Sequence, residues 1–288
     1  MEENEAMLSN YEFNLSDFAL FLSVMKNPRA YRNVLSIFLE EPDIELTEVK
    51  VEQVVLNKSG KRAIRLDAWA KSTDDRRFNM EMQNDTSKDD VRKRSRYYQG
   101  LLDSPILKSG KETRYKHLPY TVIIFITQDD IFGMDRAQYT FSEQCEEIAG
   151  LKLDDGTKKI FFNLTSKNGS QELISLLQYM KRTDIQNPDI TVKDERILEL
   201  DDIVQEVKAS EEWEAVKMSI LEIGIEKGTE IGIQRGLQQG LQQGLQLKLR
   251  EQVEKKLKKG LSVAEIADML EEEESVIVQI VEIINNNK

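Results

Sequence analysis

Residues 65–84, RLDAWAKSTDDRRFNMEMQN, decide how this chain folds. Apolar and polar side chains alternate on either side of the turn-forming run Ser72-Thr73-Asp74-Asp75. Side chains point to opposite faces along a strand, so the pattern predicts two strands, residues 61–71 and 76–84, paired as a hairpin. In the second, Phe78, Met80 and Met82 share one face, and Asn79, Glu81 and Gln83 share the other. In the first, Arg65, Asp67 and Trp69 lie opposite Leu66, Ala68 and Ala70. Pairing brings Asp67 toward Glu81, with Gln83 along the same row. Two facing carboxylates repel unless a positive charge stands between them. A hard divalent cation such as Mg²⁺ meets that need through oxygen ligands. The competing reading is an exposed polar face with ordinary charges.

Upstream, residues 16–41 read as one or two helices, with Ser16 or Asp17 able to cap the first and Pro28 suited to begin the second. A strand is predicted over 44–57, and Lys58-Ser59-Gly60 supplies the turn into the hairpin. Downstream, a helix is expected over about 87–103, then PYTVIIFIT (119–127) as an apolar strand buried on both faces. The order is helix, three strands, helix, strand, which is α/β with a mixed sheet flanked by helices. Residues 137–185 predict a hairpin built from Lys152–Gly156 and Ile160–Phe162, then a helix at QELISLLQYMKR. From Val192 onward the pattern is helical. The expected domains are residues 1–190, a helical arm over 191–247 and a small helical module over 248–288.

Composition removes several classes of chemistry. One cysteine, Cys145, and one histidine, His117, exclude zinc fingers, zinc ribbons and histidine-based triads. A single cysteine also allows no internal disulfide, which points to the cytoplasm. No apolar run reaches membrane-spanning length, and the acidic start MEENEAMLSN lacks the plan of a secretory signal. The net charge is −12, yet residues 58–116 carry 16 Lys and Arg against 9 Asp and Glu, a balance of +7. The remainder therefore carries −12 − 7 = −19. Such asymmetry fits a segment that meets a polyanion, or else an unevenly charged solvated surface.

From about Asp17 to Arg182 the chain resembles the PD-(D/E)XK nuclease family transposases. The blocks SDFALFLSVM, RLDAWAK, RRFNMEMQN, RKRSRYYQGLLDSPILKSG, YKHLPYTVIIFIT, YTFSEQCEE and DDGTKKIFFN carry the resemblance, in that order. It implies a restriction-endonuclease-like αβββαβ core with an all-helical C-terminal extension. It implies Mg²⁺ or Mn²⁺ as cofactor, held by Asp67, Glu81 and the main-chain carbonyl of Met82. Gln83 falls where the wider superfamily usually has a lysine and is expected to orient water or phosphate. Relatives often add an acid from the first helix. Ser36 stands at that place here, with Glu40 and Asp17 nearby. The implied reaction is hydrolysis of DNA phosphodiesters, linked to recombination or transposition. A catalytically idle DNA-binding or interaction protein on the same fold is the alternative, and a two-carboxylate glycosidase ranks last because aromatic residues are few.

In KDDVRKRSRYYQGLLD, Arg94 and Tyr98 are four apart, as are Arg92 and Arg96, so one helix face can combine cations with phenol groups. Arg94, Arg96 and Tyr98 are the candidates for DNA contact. The competing reading is a solvated charged helix with Tyr97 in the core. Glycine then recurs at 224, 228, 232, 236, 240 and 244. Each glycine costs a helix about 1 kcal/mol relative to alanine. A helical arm that bends or forms a homo-oligomer is expected. Residues 248–284 predict three short helices, with Ser262 and Glu265 as a capping box. Seven acidic residues against one basic residue from Leu261 to Lys288 make that module an interaction element rather than a DNA reader.

Overall fold

Asn27-Pro28 splits the first helical stretch in two. Helix α1 (Phe18–Met25) ends there, and α2 (Pro28–Leu39) begins with Pro28 in its first turn and the Asn27 side chain accepting the Arg29 N–H. Asp17 stands at the start of α1, but its carboxylate accepts from Asn14 N–H and Tyr11 O–H instead of capping the helix. The structure, a computed structural model, describes residues 11–55, 63–87, 89–107 and 114–286. The predicted turn at Lys58-Ser59-Gly60 lies outside them.

The strands are β1 (Leu46–Val55), β2 (Ile64–Ser72), β3 (Arg77–Gln83), β4 (Thr121–Thr127), β5 (Gln138–Phe141) and β6 (Thr157–Asn163). They form one sheet in the order β1-β2-β3-β4-β6-β5. The β1–β2 and β2–β3 pairs are antiparallel, β4 runs parallel to both β3 and β6, and β5 closes the edge antiparallel to β6. Every residue of β4 is buried, as its unbroken apolar sequence requires between two parallel neighbours. Helix α3 (Val91–Asp103) covers one face, placing Val91, Tyr98 and Leu102 against Trp69, Ile123, Phe125 and Phe161. On the other face Phe38 of α2 stacks on Phe162 with ring centroids 3.8 Å apart. There the Tyr31 hydroxyl reaches the carbonyls of Ala68 and Phe78, both at 3.3 Å. Helix α4 (Gln171–Lys181) and α5 (Glu195–Lys208) complete this layer. Glu199 of α5 pairs with Arg29 and accepts from Asn33, which locks α5 to α2.

Two expectations are corrected. Residues 152–156 are not a strand paired with 160–162. The partner of β6 is β5, and Lys152 makes only an isolated bridge to Gln144. The aromatic residues of β5 explain the choice, because Phe132 packs on both Tyr139 and Phe141, and Phe141 also meets Phe161. The Asp154-Asp155-Gly156 run turns the chain into β6 instead, with Gly156 at φ +83° over Tyr120. Nor do residues 248–257 make a separate helix. They end α6 (Glu211–Leu257), a continuous 47-residue helix that contains all six spaced glycines.

Contacts divide the chain into two units, residues 1–217 and 218–288. In the second, Val253, Ile266, Ala267, Ile277 and Ile284 form a small core with α7 (Val263–Leu270) and α8 (Glu274–Asn286). The Ser262–Glu265 capping box is formed. Among the described residues no helix is long and apolar enough to cross a membrane.

Phe38 is 1% exposed, so truncation leaves a cavity under the sheet. Phe38→Ala is expected to cost about 3–5 kcal/mol in urea unfolding, and a loss below about 1 kcal/mol would show that the stacked pair does not anchor this face.

Candidate functional site

The β2–β3 ladder pairs Lys71 with Arg77 at one end and Ala68 with Met80 at the other. One step further the register sets Asp67 across from Glu81, and there side chains take over the backbone donors. The Asp67 N–H donates to Glu81 Oε1 at 3.1 Å, and the Met82 N–H donates to Asp67 Oδ2 at 3.1 Å. Each acid is thus tied to the other's strand. Glu81 is wholly buried and Asp67 is 6% exposed. Asn79, on the same face as Glu81, donates to Glu81 Oε1 at 2.9 Å.

Arg94 reaches in from α3. Its Nη2 donates to Glu81 Oε2 at 2.9 Å, Nη1 to Gln83 Oε1 at 2.7 Å and Nε to the Tyr98 hydroxyl at 2.9 Å. The other end of the Gln83 amide donates to the Asp85 carbonyl at 2.8 Å. A cavity of about 610 Å³ opens beside Asp67, and Arg65, Lys93, Arg94, Tyr97 and Tyr98 are among the residues that line it.

Burial pushes Glu81 up to about 8, and the Asp67 charge adds to it; Asn79, the Asp67 N–H and Arg94 oppose the rise. Burial likewise raises Asp67 to about 6 against the Met82 N–H, Arg94 and Arg65, while Glu52 adds to the rise. Tyr98 is pushed up to about 12, by burial first and the Glu81 charge second. The cause is common to all three: two carboxylates share a water-poor site in which, among the described residues, Arg94 is the cation paired with a carboxylate of the pair. Glu52 lies across β1 from Asp67, between the pairs Val51–Ala68 and Gln53–Leu66, and holds φ +51°. It pairs with Arg65 at 3.4 Å.

The donor chemistry fits a hard cation. Along a strand the N–H and C=O of one residue point to the same side. The Met82 N–H faces Asp67, so its carbonyl lies on that side as well, while the Gln83 carbonyl accepts from Gln128 toward β4. Two carboxylates and a main-chain carbonyl make an oxygen set suited to Mg²⁺ or Mn²⁺. Among the described residues no cluster of three or more His, Cys, Asp or Glu side chains forms a metal site, so an ion here would rest on the pair and the backbone.

Asp67, Glu81, Gln83, Arg94 and Tyr98 are brought into one network. Arg96 is exposed on α3 and does not line the cavity. Both tyrosines line the cavity, Tyr98 5% exposed and packed between α3 and the sheet, Tyr97 39% exposed and not in the core as the competing reading had it. Asp17 is held near the N-terminus of α1, Ser36 accepts from Arg196 of α5, and Glu40 stands exposed at the end of α2. The sequence assigned no functional role to Asn79, Arg65 or Lys93 and placed Tyr97 only as a core residue. Strand parity with Glu81 and Asp67 was the signal for the first two, and the four-residue spacing of Lys93 and Tyr97 was the signal for the others.

The profile of the PD-(D/E)XK nuclease family transposases matches residues 17–222. The chain belongs to that family. The matched span takes in the whole sheet, the carboxylate pair and α3. No curated protein and no solved structure matches the chain. As a PD-(D/E)XK nuclease family transposase it has a nuclease- or transposition-related function, and the family implies DNA as substrate. Its mixed six-stranded sheet flanked by helices, followed by a helical C-terminal region, is consistent with the fold of that family.

The raised acids carry a stability signature. Unfolded carboxylates ionise near pH ~4, whereas in the fold Asp67 ionises at about 6 and Glu81 at about 8. Across that window the native state holds more protons than the unfolded state. The pair's contribution to the stability of the metal-free protein is therefore present at low pH and is lost as pH rises through the raised values. Melting in EDTA is expected to show a falling Tm for the wild type and a flatter profile for Glu81→Gln. Equal slopes in the two proteins would contradict the assignment.

Proposed function

We propose that the protein is a metal-dependent endonuclease that hydrolyses DNA phosphodiester bonds at the Asp67–Glu81 pair. The observation that carries the reading is the pair itself: two buried acids meeting across adjoining strands, of which Asp67 lines a cavity whose wall also carries Arg65, Asp89, Lys93 and Arg94. Asp67, Glu81 and the Met82 carbonyl would hold Mg²⁺ or Mn²⁺. The ion would supply Lewis acidity that makes water a better nucleophile and neutralises charge developing on the phosphate. The carboxylates have a reason to bind it, since ionised together they repel in a site that water hardly reaches.

The remaining residues act on the substrate. Arg65 and Lys93, with side chains 58% and 77% exposed, attract the phosphate backbone to the cavity. Tyr97 offers a ring at the rim on which a base can stack. In the net reaction one water adds and one P–O ester bond breaks, leaving a phosphate monoester and a hydroxyl. A second reading, a catalytically idle DNA-binding member of the family, draws on a specific contact: Arg94 already pairs with Glu81 Oε2, as a resident cation would.

Asp67→Ala and Glu81→Ala are each expected to reduce nicking of supercoiled plasmid in Mg²⁺ by at least about 100-fold with circular dichroism unchanged. Cleavage at wild-type rates by both folded variants would refute the site. A wild-type protein that binds DNA but leaves it intact in Mg²⁺ and Mn²⁺ would favour the idle reading.

A further inference from the structure

We infer that Arg94 is a catalytic residue, the fixed cation that meets the scissile phosphate, and that Gln83 is the positioning residue that holds it. This rests on the nuclease reading above and adds to it the origin of the non-metal charge. Displacement at phosphorus gathers negative charge on the phosphate oxygens, and a preorganised cation at that place lowers the barrier most. The β3 row that carries Glu81 is Arg77, Asn79, Glu81 and Gln83, and its one cation, Arg77, stands at the start of the strand, four positions from Glu81 and outside the cavity lining. Gln83 is uncharged, and its amide is engaged at both ends, by Arg94 and by the Asp85 carbonyl. A glutamine tied in this way serves as an acceptor that aims its neighbour.

Arg94 has what such a charge needs. Three of its nitrogens bind three different acceptors, Glu81, Gln83 and Tyr98. Its guanidinium carbon lies 5.1 Å from the centre of the Tyr98 ring and 5.7 Å from that of Phe125. The side chain is therefore fixed on several sides, and no rearrangement is required when charge develops. A guanidinium carries five N–H donors, so the three bonds leave two for a ligand. With 23% of the side chain exposed and a place in the cavity wall beside Asp67, the group is accessible from the cavity. The neighbouring cations lack this combination. Arg92 and Lys93 are drawn toward Asp90 at the exposed start of α3, and Arg96 is exposed and outside the cavity lining. Arg65 is 58% exposed and shared with Glu52. These serve attraction over distance, whereas Arg94 offers a charge at a set point.

The test moves the charge. Full-length Arg94→Met, Arg94→Lys, Gln83→Leu and the double variant Gln83→Lys/Arg94→Met are compared with wild type for cleavage in Mg²⁺ and for DNA affinity in Ca²⁺. Circular dichroism and melting monitor the fold. Arg94→Met is expected to lower kcat by about 100-fold or more, with DNA affinity changed less than about 5-fold. Arg94→Lys keeps the charge without the fork and falls between. Gln83→Leu lowers kcat about 10-fold with KM unchanged. The double variant, with a lysine on β3 where Arg94 was held, recovers at least about 10-fold over Arg94→Met, which a purely structural role would not allow. Equal cleavage by Arg94→Met and wild type overturns the proposal while the nuclease reading stands. A loss of DNA affinity as large as the loss of rate, or no recovery in a folded double variant, also overturns it, since either makes Arg94 a simple contact. Wild-type protein that cleaves with no metal tested overturns the nuclease reading and this proposal together.

Discussion

Asp67 and Glu81 meet where β2 and β3 stop pairing through their backbones, and burying two like charges at one point is the constraint from which the rest of the site follows. The penalty falls on the ionised forms, so each carboxylate rises above its ordinary range. The surroundings offset only part of it. Main-chain N–H groups of Asp67 and Met82 and the Asn79 amide donate to the pair, and Arg94 adds one positive charge. The balance is still short of cation. A divalent ion and the phosphate it accompanies would complete the arrangement, and the proposed nuclease chemistry rests on that shortage more than on the presence of acidic residues as such.

The fold exists to hold this tension in place. Strand β4, buried along its whole length, fixes β3 from one side, while β2 fixes it from the other. Phe38 on Phe162 and Tyr31 on the Ala68 and Phe78 carbonyls stiffen the opposite face, so the acids cannot relax by tilting the sheet. Helix α3 then does two jobs. Val91, Tyr98 and Leu102 anchor it to the sheet, and the residues between them bring Arg94 inward and leave Lys93 and Tyr97 at the opening. The Asp90 side chain caps its start by accepting the Arg92 and Lys93 N–H groups, which sets the phase of the helix and therefore the position of Arg94.

What could be read from the sequence was whatever depends on a short period. Two-residue alternation predicts the β2–β3 hairpin and puts Asp67, Glu81 and Gln83 on one face. The unbroken apolar run of β4 likewise predicted burial on both sides. Features that depend on distant partners were not readable. The antiparallel neighbour of β6 is β5, and it is chosen by aromatic contacts among Phe132, Tyr139, Phe141 and Phe161 that no local pattern announces. Which of Tyr97 and Tyr98 turns inward depends on the rotation of α3 over the sheet, and adjacent residues of the same type give no signal for it. The bond from Arg94 to Gln83 spans eleven positions and two elements. Ser36 looked like a vacancy for an acid, and in three dimensions it belongs to the contact between α2 and α5 through Arg196.

The most direct measurement is anomalous diffraction from crystals of the wild-type protein soaked in Mn²⁺. One strong peak is expected within coordination distance, about 2.0–2.3 Å, of carboxylate oxygens of Asp67 and Glu81, with the Met82 carbonyl as a further ligand. A peak only elsewhere on the chain, or none while both acids keep the hydrogen bonds described above, would contradict it.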